Sequence, residues 1–187
     1  LAEIGKKAYI TPIVVNVNSR ELLISNGSAV CIAYDVETGK EVWRIVQGED
    51  STISMPFIFD DILYFFTSCV TPESGGRYCE LLAVDPDGEG DIQDSNVLWR
   101  KSFPPLQLLT PVVKDGFIYL ADTRGNFFCL DAYSGTEVWT EKRRGKFNSS
   151  PVAASGHIYF NSTMGETIVL KEGKKLEHVA ENKLDGE

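Results

Sequence analysis

The chain has 187 residues, 43% of them hydrophobic, with a formal net charge of −9. That apolar share supports a real core, and the negative charge argues against a nucleic-acid backbone as partner. No apolar run approaches the length needed to span a bilayer. No secretory leader is visible at Leu1-Ala2-Glu3-Ile4-Gly5, and the chain reads as a piece of a longer protein, because it begins and ends inside a repeat pattern.

The first copy of that repeat opens on Thr11-Pro12-Ile13-Val14 and carries Asn26-Gly27 before its third strand. It closes on Ala33-Tyr34-Asp35, a turn at Thr38-Gly39, and Trp43. The second opens on Met55-Pro56-Phe57-Ile58, runs through Ile62-Leu63-Tyr64-Phe65-Phe66, and closes on Ala83-Val84-Asp85 and Trp99. The third opens on Thr110-Pro111-Val112-Val113 and closes on Cys129-Leu130-Asp131, Ser134-Gly135 and Trp139. The fourth opens on Ser150-Pro151-Val152-Ala153 but has Lys171 where the Asp is expected, and no Trp. The opening prolines at 12, 56, 111 and 151 stand 44, 55 and 40 residues apart. A period of about 40 residues, with an enlarged second copy, matches four-stranded propeller blades.

Four strands per copy are expected. In the third copy they read as 109–114, 117–122, 127–131 and 138–142, with a tight-turn signal at Asp115-Gly116. Ser155-Gly156 repeats that signal in the fourth. Val, Ile, Phe and Tyr dominate the strands. Ile62 to Phe66 and Phe117 to Leu120 are apolar on both faces, as in sheets covered on both sides. The blades are expected at about 11–45, 54–101, 109–142 and 150–181, together one partial propeller over 1–187. The polar tail from Lys171 to Lys183 falls in register as the outer strand of the last blade.

An indole is large and apolar with one N–H donor, so a Trp buried between sheets needs one acceptor. An Asp at the end of the third strand can bind turn amides. A glycine in the turn lets a ring lie against the backbone. Asp35, Gly39, Trp43, Asp85, Trp99, Asp131, Gly135 and Trp139 therefore read as a blade-to-blade fastener, with no catalytic, cofactor-binding or metal-binding role.

These residues carry a resemblance. Ala33 through Trp43, and Leu130 through Trp139, resemble the tryptophan-docking motif of pyrroloquinoline-quinone-type (quinoprotein alcohol dehydrogenase-like) β-propellers. Ser150 to Phe160 and Val97 to Arg100 are similar to other parts of those repeats. The likeness runs from about Thr11 to Leu184. The second copy departs from it, with Pro86-Asp87-Gly88 in place of Thr-Gly. The resemblance implies an all-β propeller segment of about four four-stranded antiparallel blades, part of a larger ring of bacterial type. It also implies a periplasmic or secreted location. Four blades would leave apolar faces to be covered, by a protein partner or by self-association.

Enzymes of the family hold their quinone between a Trp and a disulfide of adjacent cysteines, beside calcium and an acidic base. No Cys-Cys pair occurs here, so that constellation transfers to no position and no cofactor is expected. The expected function is a non-catalytic interaction or assembly scaffold. The alternatives are a segment of a quinone-dependent dehydrogenase, or a carbohydrate- or small-ligand-binding propeller using exposed aromatics such as Tyr78, Tyr133 or Phe147.

Other candidates are weaker. The stretch Asp85 to Asn96 matches a calcium loop in part, but Asn96 stands where a bidentate carboxylate is needed; an acidic, solvated hairpin insertion is the reading preferred. No Ser or Cys lies in a nucleophile elbow. The four cysteines, at 31, 69, 79 and 129, form no zinc-type pair. Cys69 and Cys79 flank a Gly-rich insertion and are either two free thiols or a disulfide.

Overall fold

The computed structural model describes residues 9–48, 53–73, 75–104 and 109–184. Its described residues fall into two compact units, within 1–106 and 107–187, each with two repeat copies.

In the first unit, copy one is the meander β1 (Ile13–Val17), β2 (Arg20–Asn26), β3 (Val30–Asp35) and β4 (Glu41–Val46). Copy two is β5 (Phe57–Phe59), β6 (Ile62–Phe66), β7 (Cys79–Val84) and β9 (Val97–Phe103), with a two-residue β8 (Gly90–Asp91) between the last two. Within each meander neighbouring strands pair antiparallel, in the orders β1-β2-β3-β4 and β5-β6-β7-β9. β8 leaves its own copy and pairs parallel to β4, Trp43 with Gly90 and Arg44 with Asp91.

The second unit repeats the plan. Copy three is β10 (Val112–Lys114), β11 (Phe117–Ala121), β12 (Asn126–Asp131) and β13 (Glu137–Lys142). Copy four is β14 (Val152–Ala154), β15 (His157–Asn161), β16 (Glu166–Lys171) and β17 (His178–Lys183). The expected first strand of copy three is shorter than 109–114, since 109–111 are not in a strand.

The first two strands of every copy are joined by a two-residue turn in left-handed conformation. The pairs are Asn18 and Ser19 (φ 49° and 68°), Asp60 and Asp61 (50° and 60°), Asp115 and Gly116 (49° and 79°), and Ser155 and Gly156 (49° and 80°). Positive φ at both positions is the type I′ hairpin, whose twist matches that of the flanking strands. Between strands three and four the register slips once per copy, at Ala33/Tyr34, Ala83/Val84, Cys129/Leu130 and Val169/Leu170. The bulge therefore recurs at one place in the repeat and re-aims the side chains beside it.

Each unit has its core between its two sheets. In the first, Leu22, Ile24, Trp43 and Ile45 of copy one pack with Leu63, Phe65, Leu82 and Ile92 of copy two. In the second, Phe127 stacks on Phe160 with ring centres 4.2 Å apart, and Phe147 meets Phe127 edge-on at 4.7 Å. Ile62–Phe66 and Phe117–Ala121 are buried along nearly their whole length. That is why these strands do not alternate.

Candidate functional site

The recurring site is the junction between the two copies of a unit, and it is built outward from the bulge. The residue before the slip is small in the three copies with a Trp. Ala33 pairs with Trp43, Ala83 with Trp99 and Cys129 with Trp139. A small residue opposite leaves room for the indole over the strand. On the other side of that small residue stands Ile24, Tyr64 or Tyr119. Tyr64 and Trp99 lie 5.9 Å apart at 52°, and Tyr119 and Trp139 lie 6.0 Å apart at 47°. The same tilted pair thus occurs in copies two and three.

In copies one and three the indole N–H reaches the turn that follows the third strand of the next copy. Trp43, fully buried, donates to the Pro86 carbonyl at 2.9 Å. Trp139 donates to the Gly173 carbonyl at 3.3 Å, and the Gly173 N–H donates to the Tyr119 hydroxyl at 2.7 Å. One residue of copy four, Gly173, is thus held through both its N–H and its carbonyl by copy three. Burial pushes the Tyr119 hydroxyl up to about 12 and the neighbouring Cys129 thiol up to about 12. Both stay protonated as hydrogen-bonding groups.

Asp35 and Asp131 organise the turns. Asp35 accepts from the Thr38 N–H at 2.8 Å, the Thr38 hydroxyl at 2.6 Å and Arg20 at 2.7 Å. The Thr38 hydroxyl, then Arg20, hold its carboxyl down at about 2. Asp131 accepts from the Ser134 N–H and hydroxyl, each at 2.9 Å. The N–H groups of Gly39 and Gly135 donate to the carbonyls of Asp35 and Asp131 at 2.8 and 2.9 Å, and both glycines have φ near +66°. Asp85 differs: it accepts from the Asp87 N–H at 3.0 Å, and the Asn96 amide closes the turn on the Asp85 and Asp87 carbonyls.

The acidic stretch is less solvated than its composition suggests. Ile92 is 1% exposed within the first core, and its N–H donates to the Arg44 carbonyl at 3.1 Å. Asn18 donates to Asp87 at 2.7 Å. With Pro86 and β8, these contacts make the insertion a strap laid on copy one. Among the described residues, no three His, Cys, Asp or Glu side chains converge as they would around a metal ion.

In copy four, Ala180 stands opposite Val169, where the other copies have a Trp opposite a small residue. The larger Val and smaller Ala exchange volume across one pair. Lys171, in the Asp position, pairs with Glu177 at 3.5 Å on the surface. Of the aromatics considered as ligand platforms, Tyr133 is exposed and Tyr78 half-buried, but Phe147 is not available: it is 1% exposed in the core of the second unit. Cys31, Cys69, Cys79 and Cys129 are all free thiols, and burial pushes the Cys31 thiol far up. No helix among the described residues is long and apolar enough to cross a membrane.

Tyr64, Tyr119, Pro86 and Gly173 were not legible as junction residues in the sequence. The Tyr at the centre of the second strand in copies two, three and four was the available signal.

Four bulged antiparallel meanders, joined in pairs within each unit by a tryptophan junction, define a β-propeller segment. Residues 80–183 match the family described as outer membrane protein assembly factor BamB, and the chain belongs to this PQQ-like repeat family. The curated relatives include a tetrathionate hydrolase of Acidithiobacillus ferrooxidans, 27% identical over 68% of this chain and 28% of its own length. A BamB of Nitrosomonas eutropha is 23% identical over 52% of this chain and 27% of its own. The serine/threonine-protein kinase AfsK of Streptomyces coelicolor is 35% identical over 33% of this chain and 8% of its own. Among solved structures, BamB of Moraxella catarrhalis aligns with a TM-score of 0.62 at 17% identity, covering 91% of this chain and 47% of that one. Quinohemoprotein alcohol dehydrogenase of Comamonas testosteroni aligns at 0.66 and 14% identity, covering 97% and 35%. The chain therefore spans less than a third of the length of these curated relatives. The structural likenesses establish the fold.

Proposed function

We propose that this chain is a non-catalytic propeller segment acting as a protein-interaction or assembly scaffold outside the cytoplasm. One observation carries the reading: the distinctive Trp and Asp residues of copies one and three are engaged in joining copies and in closing turns. The Trp43 and Trp139 N–H groups are donated to backbone carbonyls of the next copy's turn, and the Asp35 and Asp131 carboxylates hold their own turns. Relatives named as outer membrane assembly factors support the scaffold role and its location.

The described residues do not fit a pyrroloquinoline quinone. Trp43 is wholly buried with its N–H engaged, and Cys31 and Cys129 are fully buried within separate strands.

The scaffold's partner is a protein, and a second copy of the chain is one form it can take. The test is a dye-linked dehydrogenase assay on the purified chain with quinone and calcium added, alongside multi-angle light scattering. The expected result is no turnover, with self-association that increases with concentration. Alcohol-dependent dye reduction would overturn the scaffold reading, and a strict monomer at high concentration would remove self-association from it.

A further inference from the structure

The second copy interrupts its meander between β6 and β7 with a hairpin insertion. Val70 and Tyr78 form an isolated antiparallel bridge there. The Val70 N–H donates to the Tyr78 carbonyl at 2.7 Å, and the Tyr78 N–H to the Val70 carbonyl at 3.0 Å. A pair that exchanges both bonds is the hydrogen-bonded kind, which fixes Val70 opposite Tyr78. On the side away from the turn, β6 and β7 pair with Phe66 opposite Leu81, and the Thr67 N–H donates to the Glu80 carbonyl at 2.7 Å. The register therefore slips by one residue between the two, and Ser68 and Cys69 together stand opposite Cys79. Opposed residues of antiparallel strands have Cα atoms about 4.5–5.5 Å apart, inside the window of about 4.4–6.8 Å for disulfides.

Further observations hold the pair in place. The Cys79 side chain lies close enough to Cys69 to offset part of the burial that pushes the Cys69 thiol up. Cys79 is 3% exposed, with its sulfur 3.8 Å from the Pro104 carbonyl oxygen. The Cys69 backbone is pressed against Gly48, where a Cβ would come within 2.3 Å of the Cys69 carbonyl oxygen. The neighbouring Ser68 N–H donates to the Gln47 side-chain oxygen at 3.1 Å. Gln47 in turn donates to Asn26 at 2.8 Å, and Asn26 donates to the Phe66 carbonyl at 3.0 Å. The half-buried Cys69 is the thiol an oxidant can reach, and the buried Cys79 is the one that resolves.

We propose that Cys69 and Cys79 are a site of reversible oxidation to an intramolecular disulfide that locks this hairpin, with a small-molecule disulfide such as oxidised glutathione as oxidant. The Cys69 thiolate attacks one sulfur of the oxidant, forming a mixed disulfide and releasing one glutathione thiolate. The Cys79 thiolate then attacks the Cys69 sulfur and releases the second. Two cysteine thiols are oxidised, one oxidant disulfide is reduced, and the two protons end on the two released thiols. Cys31 and Cys129, each fully buried inside a strand, take no part.

The full 187-residue chain is equilibrated with oxidised or reduced glutathione, alkylated, and digested with trypsin without reduction. Arg77 lies between the two cysteines, so cleavage there puts Cys69 and Cys79 on separate peptides joined only by a disulfide. The expected result is one cross-linked pair of peptides, two hydrogens lighter than their sum and separated by reductant. The oxidised chain should also melt several degrees higher than the reduced one, and this difference should vanish in Cys69→Ser. Separate alkylated peptides after oxidation would overturn the proposal. So would a cross-link to Cys31 or Cys129, or a Cys69→Ser chain that keeps the oxidation-dependent shift.

Discussion

The indole of Trp43 donates its N–H to the backbone carbonyl of Pro86, 43 residues further along the chain, and both belong to one buried junction. The bond joins the fourth strand of one repeat to the turn after the third strand of the next. Trp139 does the same for Gly173.

Replacing Trp43 with Phe keeps most of the apolar volume and removes the donor, leaving the Pro86 carbonyl without this partner. A loss of about 1–3 kcal/mol is expected in urea unfolding. Trp43→Ala adds a cavity and should lose about 3–5 kcal/mol.

The two-residue turns differ in their tolerance of left-handed backbone. Ser19 holds φ 68° in a place where copies three and four have Gly116 and Gly156. Ser19→Gly removes the Cβ penalty and should stabilise the chain by up to about 1 kcal/mol, net of the added freedom of the unfolded state.

Gly125 shows the opposite sensitivity. It has φ +82°, and a Cβ there would lie 2.5 Å from the Arg143 carbonyl oxygen. Gly125→Ala should destabilise by more than about 1 kcal/mol. Gly39→Ala, with φ +66° and open space around the Cβ, should lose less. Parallel urea titrations of the two variants give the comparison.

Asp35 sets an acid limb. Its carboxyl titrates near 2 in the folded chain and near about 4 when unfolded. The unfolded state therefore binds the proton more readily, and the Asp35 contribution is complete above that unfolded value and lost as pH falls toward 2. Asp35→Asn should be less stable than the parent at neutral pH, with the gap narrowing below about pH 4. Thermal melts across that range measure it.

The acidic strap should behave as core. Ile92→Ala, within a stretch whose composition suggests solvent, should lose about 2–5 kcal/mol in urea unfolding, as a buried aliphatic truncation does.

The architecture was legible because its signals are covalent spacings. Asp35, Gly39 and Trp43, then Asp131, Gly135 and Trp139, recur at fixed offsets, and Asp115-Gly116 names its own turn. Asn18-Ser19 and Asp60-Asp61 make the same turn without glycine, so only the strands around them could reveal it. The junction partners were hidden for another reason. Pro86 and Gly173 act through backbone carbonyls, which any residue supplies. Gly90 and Asp91 have little strand propensity, and they form β8 only because β4 offers a ladder. Phe147 counted in the sequence among the exposed aromatics, yet it packs with Phe127 and Phe160 in one core.

Along Trp43 and Arg44 the outer edge of the first sheet is occupied by the chain's own Gly90 and Asp91, with carboxylates at Asp87, Glu89 and Asp91 around the seam. An unguarded edge invites a foreign strand to extend the sheet. Here the invitation is withdrawn by an internal lodger that brings negative charge with it. Shortening Asp85 to Asn96 to the tight turn of the other copies would turn a quiet rim into a seed for aggregation.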